Sequence, residues 1–187
     1  MPMKIISTAL PDVLLIKPEV YRDDRGFFTE TYHQGRYIEG EINSVFIQDN
    51  HSRSQRGTLR GLHYQLHHAQ CKLIYVVTGE IFDVAVDIRR GSPTFGQWVG
   101  ICLSNDNKHQ IYIPAGYAHG FCVLSETADV IYKCSDLYDR DDEHGIYWAD
   151  PSVNIDWPIS DPILSEKDDQ NPELRKLPEY LLPVFNL

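Results

Sequence analysis

An arginine, a histidine and a glutamine are set into one short, otherwise apolar run, Leu59-Arg60-Gly61-Leu62-His63-Tyr64-Gln65, and Lys72 follows seven residues later. Charged and titratable side chains are costly to bury without partners, so this segment reads as the lining of a site and not as a core wall. A second run, Ile113-Pro114-Ala115-Gly116-Tyr117-Ala118-His119-Gly120-Phe121, sets another histidine beside a proline-and-glycine turn. A free imidazole titrates near ~6.5, so it can take and give a proton close to neutrality. Together the two runs describe a pocket that holds an anion and moves protons.

The chain as a whole is acidic, with 17 Lys and Arg against 27 Asp and Glu and a net charge of -10. That balance excludes the basic surface that nucleic acid or an anionic membrane requires. A phosphorylated small molecule stays open, because a few gathered cations suffice; Arg25, Arg60, Lys72 and Lys167 are the candidates. With 187 residues, 42% of them hydrophobic, residues 1–187 can form one domain with a buried core. The apolar runs Val13 to Ile16 and Leu73 to Val77 fall far short of the roughly 18 residues of a membrane-spanning helix. No basic region followed by a signal-type apolar stretch opens the chain, so the expected compartment is the cytoplasm. Cys71, Cys102, Cys122 and Cys134 lack Cys-x-x-Cys spacing and read as reduced core thiols, with Cys71 set apart by its neighbour Lys72.

The elements that must position these residues are strands. Lys72 to Val77 ends at Thr78-Gly79, and Glu80 to Ile88 then alternates, with Phe82, Val84, Val86 and Ile88 on one face and Ile81, Asp83, Ala85 and Asp87 on the other. Val99 to Leu103, His109 to Ile113, Gly120 to Leu124 and Ala128 to Cys134 continue the series between turn-rich links. The pattern predicts an all-β, antiparallel sandwich or barrel. Residues 151–187 differ: they hold six of the eleven prolines, which rules out long regular elements. Trp157, Ile163, Leu164, Tyr180, Leu181 and Phe185 supply apolar anchors, so this segment is expected to dock on the body as turns and short helices.

Strand parity gives a sharper expectation. Arg60 and His63 point to opposite faces of a regular strand, so they share a cavity only if the chain kinks between them, and Gly61 is where a bulge costs least. Tyr132 shares parity with Val130 and Cys134 and is expected to face the interior.

The runs Asp24-Arg25-Gly26-Phe27-Phe28-Thr29-Glu30, Gln48-Asp49-Asn50-His51-Ser52, Leu59 to Gln65, Phe82 to Arg89 and Ile113 to Phe121 resemble the dTDP-4-dehydrorhamnose 3,5-epimerase family. So do Tyr132-Lys133 and Leu164-Ser165-Glu166-Lys167-Asp168, in order over nearly the whole chain. The resemblance implies a cupin-type, double-sheet jelly roll, a homodimer, no metal or organic cofactor, and a dTDP-linked 4-keto-6-deoxyhexose as substrate. A C4 ketone acidifies the hydrogens on C3 and C5, because the carbanion delocalises onto oxygen, and inversion needs a base on one face and a proton donor on the other.

By that resemblance His63 is the base, Asp168 the carboxylate that orients it, Lys72 the charge that steadies the enolate oxygen and Tyr132 the proton donor. On the residues alone, Asp83 is an equally fair partner for His63. His119 positions the sugar; Arg25, Arg60 and Lys167 clamp diphosphate and sugar; Glu30, Gln48, Asn50 and Glu143 are polar contacts. Phe28 and Tyr138 could sandwich a thymine ring. The family's pocket is shared between subunits, so Arg25, Gln48 and Asn50 are expected to cross a dimer interface. One departure is the stretch His67-His68-Ala69-Gln70-Cys71, about one residue shorter than the common pattern, which puts the placement of Lys72 in question.

Two other classes fit parts of the sequence. A metal-dependent cupin would use Pro114-x-Gly116-x-x-His119, but its second half wants His-x-His, and here Tyr64 and Gln65 follow His63. A non-catalytic jelly-roll binding module would keep the cations without needing a base opposite a phenol. Within the same fold, an enzyme inverting only C3 or only C5 can carry the same His, Lys and Tyr.

Overall fold

The computed structural model describes residues 3–185. In chain order the elements are β1 (Met3–Ser7), β2 (Leu14–Pro18), β3 (Val20–Asp23), β4 (Gly26–Thr29), α1 (Gln34–Glu39), β5 (Gln48–Gln55), β6 (Leu59–Gln65) and β7 (Lys72–Thr78). They continue with β8 (Glu80–Asp87), β9 (Trp98–Ser104), β10 (Gln110–Ile113), β11 (Tyr117–Val123), β12 (Thr127–Cys134), β13 (Glu143–Gly145) and α2 (Glu166–Asp169). Two single-turn 3-10 helices, Leu174–Lys176 and Glu179–Leu181, come last.

Six strands form one sheet in the order β1-β2-β10-β7-β12-β5, and five form a second in the order β13-β6-β11-β8-β9; β3 and β4 make a separate ribbon. Neighbouring strands are antiparallel throughout. Ile74, Ile111 and Val130 of the first sheet pack against Ile81, Ala85 and Phe121 of the second, closing a core between them. The molecule is an all-β, cupin-type jelly roll with a proline-rich, short-helix carboxyl segment.

The alternation along β8 places its two faces as the sequence indicates, yet both are buried. Ile81 and Ala85 face the other sheet, while Val84, Val86 and Ile88 face outward into a second cluster with Val153, Leu174 and Leu182. The carboxyl segment is therefore the cover of the five-stranded sheet, which explains why β8 is apolar on both sides. Of the expected anchors, Trp157 packs edge-on against Phe82 of β8 at the border of this cluster, but others do not reach it. Ile163 and Tyr180 are exposed, and the buried contacts come from Val153, Leu174 and Leu182, because the prolines turn the chain at each step and rotate the side chains that reach the sheet. Backbone pairing fixes the segment instead at Ile163, whose carbonyl accepts from Leu59 N at 3.0 Å, and near its end, where Phe185 N donates to Arg90 O at 3.0 Å.

Two further differences concern local detail. Helix α1 has no counterpart in the sequence pattern; at six residues with only Tyr37 buried, it is too short to show a 3.6-residue period. Among the cysteines, all free, Cys122 and Cys134 are buried but Cys102 is exposed on β9, the edge strand of its sheet. Among the described residues no helix is long and apolar enough to cross a membrane.

Candidate active site

The molecule holds a cavity of about 550 Å³, a size suited to a small organic ligand. Its walls come from both sheets. His63 of β6 and His119 of β11 are cross-strand partners on the five-stranded sheet, while Tyr132 of β12, Lys72 of β7 and Asn50 of β5 line it from the six-stranded sheet. The carboxyl segment closes the rim with Ser165, Lys167 and Asp168.

The kink expected at Gly61 is present. The β6–β11 register slips between the pairs His63 with His119 and Arg60 with Phe121, and both Arg60 and His63 line the cavity. Gly61 has φ +114°, and a Cβ there would fall 2.6 Å from both Gly120 Cα and His119 O. Gly120 is equally constrained, since its Cβ would meet Arg60 O at 2.7 Å. Two glycines face to face let the strands approach where the bulge turns.

His63 is held from two sides. Its Nε2 lies 2.5 Å from Asp168 Oδ1, and its Nδ1 lies 3.7 Å from Glu143 Oε1. Asp83, the alternative partner, is bonded instead to His119, with Oδ2 2.9 Å from Nε2, so the site contains two imidazole–carboxylate pairs side by side. Burial pushes the Asp168 carboxyl up, but hydrogen bonds with His63, Ser165 and the Gly61 backbone outweigh it and hold the group below its ordinary value. Asp168 reaches His63 because Ser165 caps α2, accepting from Asp168 N at 3.1 Å. The sequence carries the signal for this cap in Ser165-x-x-Asp168, a serine followed three residues later by an acid at a helix start.

Lys72 and Cys134 are paired across β7 and β12, two residues along from the pair Ile74 and Tyr132 and so on the same face. Burial pushes the Lys72 ammonium below its ordinary value, against the opposing pull of Cys134, Glu143 and Asp83. Among the described residues no carboxylate comes within ion-pair distance of it, which leaves its charge available to a ligand. The shortened stretch before it is well fixed. The Asp142 carboxylate accepts from His67 N at 2.9 Å and His68 N at 2.7 Å, and Cys71 N donates to Ser135 Oγ at 2.8 Å. Tyr132 is pushed up by burial and by Cys134 and Glu143, with Arg60 opposing, so it stays a protonated phenol.

Around this centre, Arg60 Nε donates to Ser54 Oγ at 3.0 Å, and Gln48 Nε2 donates to Asn50 Oδ1 at 3.0 Å. Glu143 Oε2 accepts the Tyr138 hydroxyl at 2.7 Å and the Lys167 ammonium. The bond to Glu143 is what moves the Tyr138 phenol up to about 12. Gln65 has no role that the sequence reveals, yet its Oε1 accepts from Asp139 N at 2.9 Å and its Nε2 donates to Leu137 O at 3.1 Å, fixing the loop that carries Tyr138.

Three expected contacts lie elsewhere in the chain. Arg25 and Phe28 sit on the exposed β3–β4 ribbon, where Arg25 pairs with Asp23, and Glu30 pairs with Arg36. Gln48 and Asn50, expected to reach across to a second chain, line the pocket of their own, because β5 is bonded to β12 and sets Asn50 directly opposite Tyr132. Among the described residues no group of three or more His, Cys, Asp or Glu side chains is arranged to hold a metal ion.

The comparisons agree with this geometry. Residues 7–176 match the family model described as dTDP-4-dehydrorhamnose 3,5-epimerase. The dTDP-4-dehydrorhamnose 3,5-epimerase of Pseudomonas aeruginosa is 58% identical over 170 residues, covering 90% of this chain and 94% of the relative. The fold superposes with a TM-score of 0.97 on the dTDP-6-deoxy-D-glucose-3,5-epimerase of Legionella pneumophila, solved with dTDP-4-keto-L-rhamnose, at 50% identity and full coverage of both chains. It also matches a 3'-monoepimerase of Streptomyces bikiniensis, solved with dTDP-quinovose, at 31% identity, TM-score 0.90 and coverage of 95% and 92%. With a family match over nearly its whole length and relatives above half identity, the chain belongs to the dTDP-4-dehydrorhamnose 3,5-epimerase family of isomerases.

Proposed function

We propose that this chain inverts both C3 and C5 of dTDP-4-dehydro-6-deoxy-D-glucose, producing dTDP-4-dehydro-L-rhamnose for dTDP-L-rhamnose synthesis in the cytoplasm, with residues 1–187 as one catalytic unit and no metal or organic cofactor. The observation that carries this reading is the opposition of His63 and Tyr132 across one cavity, each from a different sheet. A sugar ring lying between them meets a base on one face and a protonated phenol on the other.

In this mechanism His63 Nδ1 takes the proton from C5 or C3, since Nε2 is engaged by Asp168. Asp168 holds the ring orientation and stabilises the imidazolium that forms. Negative charge develops on O4, where the buried Lys72 ammonium meets it, a contribution of about 3 to 4 kcal/mol for one such donor in a dry site. Tyr132 then protonates the carbon from the opposite face. His119, fixed by Asp83, positions the sugar, and Arg60 and Lys167 hold the diphosphate.

The nucleotide end draws on a homodimer. The β3–β4 ribbon leaves Tyr21, Phe27 and Phe28 exposed and carries Arg25 outward, which fits delivery to the cavity of a second chain. There Arg25 of the partner subunit meets diphosphate, Glu30 of the partner subunit meets the base, and Phe28 of the partner subunit stacks a thymine against Tyr138.

Proton NMR of the 4-keto sugar nucleotide in deuterated water tests the reading. Deuterium is expected at both C3 and C5, with an L-configured product that a specific reductase traps. Exchange at one carbon identifies a single-site epimerase, and exchange at neither refutes the catalytic assignment of His63.

A further inference from the structure

Inverting two carbons with one imidazole sets a requirement that inverting one does not, and this requirement rests on the double inversion proposed for the chain. When His63 takes a proton from one carbon, Tyr132 delivers a different proton to the other face, so each inversion ends with a protonated imidazole and a phenolate. His63 must lose its proton, and Tyr132 regain one, before the second carbon of the same sugar can react. An imidazolium that cannot discharge only returns its proton to the face it came from.

The surroundings of His63 contain a route for that proton. Nε2 is occupied by Asp168, which is 3% exposed and so cannot trade protons with solvent directly. Nδ1 stands 3.7 Å from Glu143 Oε1, close enough for ion pairing and longer than a hydrogen bond, so its lone pair is open to a substrate proton. Glu143 Oε2 is already filled by the Tyr138 hydroxyl and the Lys167 ammonium, which leaves Oε1 as the free acceptor. Both of those partners are half-exposed, with Tyr138 at 52% and the Lys167 side chain at 49%, so the cluster spans from the cavity to solvent. Burial pushes the Glu143 carboxyl up, but Lys167, Tyr138 and His63 bring it below its ordinary value, which keeps it ionised between turnovers.

We propose that Glu143 discharges His63 between the two inversions, accepting the Nδ1 proton on Oε1 and releasing it to water at the rim formed by Tyr138 and Lys167. The Nδ1–H bond breaks as Oε1–H forms, and Oε1–H then breaks to hydronium; Tyr132 regains one proton from solvent, so charge and protons balance over each inversion. Glu143 acts through His63 and is a positioning and proton-accepting residue, distinct from the groups that touch the reacting carbons.

The experiment follows the 4-keto sugar nucleotide by proton NMR in deuterated water with enzyme in excess, comparing the unaltered chain with Glu143→Gln and Glu143→Ala. The amide of Glu143→Gln fills the same space but takes no proton. Because Glu143 also holds Tyr138 and Lys167, the first inversion is expected to slow as well through weaker nucleotide binding, so the readout is the ratio of the second rate to the first at saturation, with an unchanged circular dichroism spectrum reporting an intact fold. Inversion at the second carbon is expected to slow by about 100-fold more than inversion at the first, so that singly inverted sugar accumulates. Added formate is expected to restore the second inversion in Glu143→Ala by standing in for the lost carboxylate. Equal slowing at both carbons with no response to formate is what a structural role gives, and it overturns the proposal while leaving the epimerase reading intact. Absence of exchange in the unaltered chain overturns both.

Discussion

At the scale of single residues, the same physical cause moves the two cavity groups of the six-stranded sheet in opposite directions. Burial lowers Lys72 and raises Tyr132, because it disfavours whichever form carries charge. The mechanism needs the ammonium charged and the phenol protonated. As pH rises, the ammonium is lost first, through a pKa below that of free lysine, while the phenol keeps its proton past the ordinary tyrosine range. The alkaline limb of kcat/KM is therefore expected to report Lys72. Tyr132→Phe should keep that limb in its residual activity, whereas Lys72→Gln should lose about 100-fold or more in kcat and show a flat alkaline side. A limb that survives in Lys72→Gln would assign it to the phenol. The residue types were legible in the sequence because charges inside apolar runs are anomalous. Whether Asp168 or Asp83 orients His63 was not, since both sit in suitable company and only the fold shows Asp83 committed to His119.

At the scale of elements, β6 carries the design of the site, and its bulge was readable from parity because a two-residue period leaves Arg60 and His63 no other way to share a cavity. The tight approach of Gly61 to Gly120 was not readable, since those glycines lie about sixty residues apart and meet only through the β6–β11 pairing. Gly61→Ala is expected to cost about 3 kcal/mol, combining positive-φ strain with overlap against a backbone that cannot yield. It should also abolish activity by shifting His63. Gly57→Ala is the control, because Gly57 has φ +80° with nothing within 4 Å of a Cβ, so only the strain of about 1 kcal/mol remains. Urea midpoints of the two variants measure the difference. The carboxyl segment shows the converse limit: proline content foretold its short turns, but which side chains are buried depends on how each turn meets β8.

At the scale of the whole molecule, a charge of -10 leaves a few cations to do the anion binding, and the fold divides them. Arg60, Lys72 and Lys167 converge on one cavity, while Arg25 projects from the ribbon with its side chain 90% exposed. If two chains share their sites, each cavity needs His63 from one chain and Arg25 of the partner subunit. That arrangement has a consequence no single-chain site can imitate. Arg25→Ala and His63→Ala should each be inactive as homodimers, and unfolding and refolding them together at equal amounts should restore activity. In a mixed dimer, the cavity of the Arg25→Ala chain keeps its own His63 and receives an intact Arg25 from the His63→Ala chain, while the other cavity lacks both. Half the dimers are mixed and each has one working site, so recovery of about a quarter of the unaltered activity is expected for a closed two-fold dimer. No recovery, with mixed dimers shown to form by native mass spectrometry, would place Arg25 outside the neighbouring cavity and leave the nucleotide to groups of one chain alone.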